Sequence, residues 1–328
     1  MTDPAGYFTT VSDEHRRQFA AWADVCRHGR DAYFRSNAAG FDANPGSEAE
    51  TCKRASLANT WPGGAWPDPG PGDMLHQVGL MLANSAAGRL GELGALLDQG
   101  EVFWSLPMHA RGVMEICARL FRIYMQPFLA SAGTPSDEEM KVMYATAHFE
   151  IISSAFSAKK VAEAFLALDP GDADREAQLA HVDAEIDRLV AAYGPHYDPA
   201  LTKTDRASTL MLGGVVAANM TDLVDSFAAW TWPDPKVRPR PLYRVFSGHG
   251  HTSLDADMEL YRVEDVDGRR VMTRLLDDGF VETFVLTALA MFHRTFARIV
   301  GFYGWDETTL DGFAEHIAAE FPDGFTLR

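Results

Sequence analysis

Apolar side chains recur at spacings of three, four and seven through most of this chain, and that period constrains the fold more than any other feature. It places them on one stripe of a helix, which must then be buried against other helices. Residues 12–37 show the pattern plainly: Ser12-Asp-Glu supplies an N-cap and an acidic first turn, and Phe19, Trp22, Ala23, Cys26 and Tyr33 share one face. Helical period resumes at Asp73, where Met74 leads into a run holding Gly79, Ala83, Ala86, Gly88, Gly91 and Gly94 among leucines. Small residues let helices approach closely, although each interior glycine costs about 1 kcal/mol of propensity relative to alanine. Such faces also suit a homodimer contact.

Further helices are expected over residues 106–132, 172–193, 280–303 and 306–321. Thr134-Pro-Ser-Asp-Glu-Glu reads as the cap, N1 proline and acidic first turn of a long helix that ends at Leu168, before Asp169-Pro-Gly. Residues 206–230, with Gly213-Gly-Val-Val-Ala-Ala, read as a central buried helix. Two segments depart from helical period. Residues 40–72 are rich in Gly, Pro, Asn and Asp, with Trp61-Pro-Gly-Gly-Ala-Trp66 as the extreme, and are expected to hold little regular structure, as an ordered connector or lid. Residues 258–276 approximate period two around Asp267-Gly268, which predicts a β-hairpin. The expected fold is mainly α, a multi-helix bundle with one β-hairpin insertion, forming a single helical domain over residues 1–328 with its core in 73–257.

Composition narrows the functional classes. With 47% hydrophobic and 23% charged residues in 328, the chain is ordinary globular material. A net charge of −17 argues against broad adhesion to DNA or anionic lipid, though not against a small basic pocket. Three scattered cysteines, Cys26, Cys52 and Cys117, suit neither a disulfide framework nor a paired-Cys zinc site and point to a reducing compartment. The opening residues carry no basic and apolar leader, and no stretch reaches the roughly 18 uninterrupted apolar residues of a membrane span, so a cytoplasmic protein with no membrane partner is expected. No Gly-x-Gly-x-x-Gly follows a strand, and neither a Walker sequence nor a Gly-x-Ser-x-Gly elbow is present. No cofactor is expected.

Polar chemistry concentrates in residues 242–252, where Tyr243, Arg244, Ser247, His249 and His251 sit among apolar neighbours. On a helix, Arg244, Ser247 and His251 fall at i, i+3 and i+7 on one face, while His249 projects away. That face offers a cation and a titratable imidazole to one anion; the same groups equally suit fixing a helix terminus by hydrogen bonds. A basic cluster, Lys236, Arg238 and Arg240, lies just ahead, in a proline-rich connector. A second stripe places Arg111, Glu115 and Arg119 at i, i+4 and i+8. It reads either as an ion network between helices or as a group in which Glu115 orients Arg119, so that Arg111, Arg119 and Arg244 surround an anion. His249, His251, Asp255 and Asp257, and separately His148 with Glu150, offer metal-ligand types. Their spacing matches no established zinc motif closely, and histidines two apart diverge on a helix, so His249 and His251 could share a metal only from an extended or loop conformation; a metal site stays the competing reading and no metal is assigned. His76, His109, His293 and His316 stand isolated on helices, as satisfied interior or surface histidines do.

The two polar motifs together, Arg111, Glu115, Ala118 and Arg119, then Tyr243, Arg244, Phe246, Ser247 and His251, resemble those of helical proteins common in actinobacteria. These are similar in turn to HEPN domains, helical bundles whose Arg-x4–6-His motif serves metal-independent RNA cleavage or, in degenerate members, nucleotide or partner binding. Both Arg244 to His249 and Arg244 to His251 fit that spacing. Val245 stands where the family carries a polar residue, and a β-hairpin follows the motif. The resemblance implies a neutral imidazole, near a reference pKa of about 6.5, taking a proton from a 2′-hydroxyl while arginine stabilises the charge on the phosphorane. A two-fold dimer would face two such pairs across one cleft. The strong negative charge favours a small anion or one specific RNA over a general grip. Two other classes stay open: a helical biosynthetic enzyme applying acid/base chemistry to an apolar small molecule, and a non-catalytic interaction module.

Overall fold

The computed structural model describes residues 11, 13–38, 43–58, 69–102, 105–124, 135–196, 211–216, 218–232, 261–266, 269–274 and 278–322. In chain order these form α1 (Asp13–Asn37), α2 (Glu48–Ala58), α3 (Pro71–Gln99), α4 (Ser105–Tyr124), α5 (Asp137–Leu168) and α6 (Ala173–Tyr193), which runs into a 3₁₀ turn at Gly194–His196. There follow β1 (Met211–Leu212), β2 (Val215–Val216), α7 (Met220–Thr231), β3 (Tyr261–Val266), β4 (Arg269–Arg274), α8 (Asp278–Tyr303) and α9 (Thr308–Glu320). The protein is mainly α, as its sequence predicts, with two small antiparallel hairpins among the described residues, β3–β4 where one was expected and β1–β2 in addition.

α3 lies between α1 and α4, and α8 packs on α4 while also meeting α1, α2, α3, α7 and α9. The stripe read from α1 is the stripe that docks: Phe19, Trp22, Ala23, Cys26 and Tyr33 are all buried. α8 supplies the middle of the core through Phe284, Val285, Leu289, Phe292 and Phe296. By length and composition Val281–Tyr303 would suffice to cross a membrane, yet 72% of its most apolar stretch is buried inside the protein. Burial of this kind is what a central bundle helix requires. A polar latch ties α8 to its neighbours: Arg298 donates to both carboxylate oxygens of Glu48 on α2, at 2.9 and 2.5 Å, and to the backbone oxygen of Tyr124 on α4 at 3.0 Å.

The small residues of α3 are used within the chain. A side chain at Gly79 would overlap the Tyr124 hydroxyl, one at Gly91 would meet Arg30 Cδ at 2.7 Å, and one at Gly94 would lie 2.9 Å from the backbone oxygen of Ala23. These glycines set the spacing of α3 against α1 and α4. Gly88 faces open space.

Three local readings change. Residues 40–72 were expected to hold little regular structure, but α2 lies within them. Ser47 starts it, its hydroxyl accepting from Glu50 N at 3.2 Å while the Glu50 carboxylate accepts from Gly46 N at 2.5 Å. Local capping outweighs the Gly/Pro-rich surroundings there. The start of α5 is set by Ser136 rather than Thr134: Ser136 and Glu139 form a reciprocal capping box, which leaves Pro135 outside the helix. Residues 206–230 are not one helix. Gly213 and Gly214, with φ of 57° and 85°, turn the chain between β1 and β2, and α7 begins only at Met220, behind an Asn219 cap. Paired glycines at positive φ are the turn chemistry of a two-residue hairpin, which no helix accommodates.

The expected hairpin pairs Tyr261 with Arg274 through to Val266 with Arg269, a register that leaves Asp267-Gly268 between the strands, where the sequence put the turn. α5 and α6 form a helical hairpin whose far half is thinly packed. Past Phe156, Ala162 is the buried residue of α5, and the buried residues of α6, Ile186, Leu189 and Tyr193, lie toward its C-terminus. Val161, Phe165 and Leu168 stand exposed near the tip.

Candidate functional site

α4 carries an apolar arc that packs on α3, α7 and α8, and opposite it a polar stripe. Arg111 donates through Nε to Glu115 Oε1 at 2.7 Å, and both side chains are largely covered, so the predicted i, i+4 pair exists as a half-buried ion pair. One turn further on, Arg119 reaches across to α5, where its Nη1 lies 4.0 Å from Oε2 of Glu150. The Arg119 side chain is 41% exposed and that of Glu150 only 15%. Arg122 completes the stripe. It donates to the backbone oxygen of Val216 on β2 and lies over the Phe149 ring, 5.4 Å from its centroid.

The electrostatics follow from this geometry. Burial lifts the Glu150 carboxyl above its ordinary range, and the charges of Arg119 and Arg122 pull it back only in part. Burial likewise lowers Arg122, against the opposing pull of Glu150. The site thus gathers guanidinium groups around a covered carboxylate, with Arg119 open to solvent. Arrangements of this kind hold oxyanions by charge-assisted hydrogen bonds.

Of the predicted residues, Arg111, Glu115 and Arg119 share this face, while Tyr243, Arg244, Ser247, His249 and His251 lie outside the described residues. So do Lys236, Arg238, Arg240, Asp255, Asp257, Trp61 and Trp66. One contributor, Arg122, was missed, and another, Glu150, was read only as a metal-ligand candidate. Arg122 was legible as a further member of the stripe, three residues after Arg119; the meeting of Glu150 with the arginines depends on how α5 crosses α4, which no local spacing encodes.

His148 and Glu150 do not act as a pair. Two positions apart on a helix they diverge: Glu150 turns to the arginines, while His148 stacks on Tyr193 with ring centroids 4.0 Å apart and has its pKa pushed down to about 3, by burial and then by nearby His196. Among the described residues no group of three or more His, Cys, Asp or Glu side chains is placed to hold a metal ion. The isolated histidines have structural surroundings: His109 Nδ1 lies 2.9 Å from Ser105 O, His316 Nε2 lies 3.1 Å from Asp24 Oδ2, and His76 meets the Tyr303 ring edge-on.

α7 packs against α4. Phe121 of α4 stacks on Phe227 of α7 with centroids 4.9 Å apart, and Arg294 of α8 lies over Trp230. Elsewhere a cleft of about 420 Å³, counted out to open solvent, lies between α2, α3 and α8, with Cys52, Lys53, Asp73, His76 and Tyr303 in its walls. The Cys52 thiol there is pushed up to about 12, chiefly by burial, which disfavours the thiolate.

The fold and this face define a helical bundle with an arginine-rich polar stripe. No protein-family model matches the chain, no curated protein matches it in sequence, and no solved structure matches it.

Proposed function

We propose that this is a HEPN-like, cytoplasmic helical protein in which the α4 stripe and residues 243–251 make one anion site, acting on RNA without a metal ion. The observation that supports this reading most is the α4 face, where Arg111, Arg119 and Arg122 gather in a chain whose net charge is −17. In this reading Arg119, Arg111 and Tyr243 hold the substrate phosphate, and Glu115, paired with Arg111, orients the guanidinium. Arg244 stabilises the charge that develops on phosphorus, His251 with His249 supplies base and acid, and Ser247 orients the imidazole. A second copy of the chain completes the cleft.

The test is cleavage of short single-stranded RNAs in buffer containing a metal chelator, with wild type, Arg244→Ala, His251→Ala and Arg119→Ala compared at equal fold content by circular dichroism. Both motif variants are expected to lose cleavage, and Arg119→Ala to weaken substrate binding about 10-fold or more. Binding without cleavage by wild type assigns the degenerate, anion-binding form. Chelator-resistant cleavage that survives in both motif variants rejects the mechanism.

A second reading rests on the cleft between α2, α3 and α8: a small-molecule enzyme in which His76 and Lys53 face an apolar floor that includes Leu75 and Phe302. It requires that His76→Phe abolish binding of a small ligand while leaving RNA binding unchanged.

A further inference from the structure

Glu150 is an unusual partner for Arg119. Its carboxylate is almost wholly covered, while the 4.0 Å separation is too long for a charge-assisted hydrogen bond, for which about 2.7–2.9 Å is usual. The charges acting on Glu150 come from α4, namely Arg119 and Arg122. Arg122 is itself held elsewhere, by Val216 O on β2 and by the Phe149 ring beneath it. Along α5, the neighbouring titratable group His148 points away to Tyr193. A covered carboxylate therefore sits beside a guanidinium that stays partly open to solvent and is not locked to it.

We propose that Glu150 is a built-in stand-in for the anion: an oxyanion of the sulfate or phosphodiester class docks on the open side of Arg119, and Glu150 takes up one proton from solvent as it does so. The inference rests on the reading of the α4 face as an anion site and specifies how that site is regulated. Two negative groups around the same guanidiniums repel, and the covered one is the more easily neutralised because water does little to stabilise its charge. The step makes and breaks no covalent bond except O–H at the carboxylate, and the proton comes from solvent. Linkage fixes the sign: if binding takes up a proton, affinity rises as pH falls. The site would thus release its anion as the solution becomes more alkaline.

The experiment is calorimetric titration of the full chain with sulfate, in two buffers of different ionisation enthalpy, from about pH 5 to about pH 8, a range in which sulfate keeps its charge. Wild type is expected to take up protons on binding sulfate, at most one per sulfate. Glu150→Gln is expected to bind sulfate about 10-fold more tightly at the alkaline end and to lose the proton uptake. Binding by wild type with no proton uptake, or with uptake that persists in Glu150→Gln, overturns the role of Glu150 while leaving the anion site standing. No binding to either protein overturns the anion site and this inference with it. The proton count on wild type stands on its own should Glu150→Gln fail to fold.

Discussion

His148 and His293 both lie buried in the native bundle, and burial drives their pKa values down, to about 3 and about 4. Once the chain unfolds, each imidazole regains a pKa of about 6.5. Below that value the unfolded state binds protons that the folded state refuses, so stability falls as pH drops through the window from about 6.5 toward the folded values. Between about pH 7 and about pH 5 the cost is about 2 kcal/mol for each histidine. His148→Phe keeps a ring against Tyr193 and removes one of the two liabilities. Urea denaturation at both pH values is expected to give a loss of stability about 2 kcal/mol smaller in this variant than in wild type; an unchanged loss would mean that the acid sensitivity arises elsewhere. At this scale the sequence was informative only for local partners. The Arg111–Glu115 pair follows from their i, i+4 spacing. The contacts of Arg119 and Arg122 with Glu150 and Val216 follow from tertiary placement and could not be read from spacing.

The helices themselves were legible, because period and stop signals agree along most of the chain: the α1 stripe and the Asp169-Pro-Gly stop that ends α5 at Leu168 both stand in the sequence. Glycine was the ambiguous letter. Gly213-Gly214 resembles the small-residue run of α3 in composition, yet one is a hairpin turn and the other a close-packed helix face. Only the neighbours distinguish them, through the short apolar pairs Met211-Leu212 and Val215-Val216 on either side and the Asn219 cap that follows. The packing of α3 makes a paired prediction. Alanine at Gly94 gains helix propensity but presses on the Ala23 carbonyl, and backbone cannot move aside cheaply, so Gly94→Ala should destabilise by about 1–3 kcal/mol. Alanine at Gly88 meets nothing and should stabilise by up to about 1 kcal/mol. Chemical denaturation of the two variants would contradict this account of helix spacing if they shifted stability alike.

Across the whole molecule, stability is unevenly distributed. α1, α3, α4 and α8 share one apolar core, whereas the far half of the α5–α6 hairpin buries little beyond Ala162 and leaves Val161 and Leu168 exposed. Helices with so little tertiary support are marginal in water. Native-state hydrogen exchange is therefore expected to show amides of residues 157–185 opening at the lowest free energy of any described helix, well before those of α3, α4 and α8. Equal protection throughout would mean that the hairpin is held by contacts beyond its own two helices.

The position of α8 has a consequence for how the protein comes into being. It occupies the middle of the packing yet follows α1, α2, α3, α4 and α7, on which it packs, in the sequence. On the ribosome, α1, α3 and α4 emerge long before residues 278–303 are translated, and chain growth of about 5–20 residues per second leaves seconds in between. Throughout that interval the nascent bundle has an unfilled centre, because the face of α4 that packs on α8 lacks its partner. The earlier helices cannot reach their final arrangement as they are made, so their folding must wait until α8 has been made, a delay in which a holding chaperone has the most to protect.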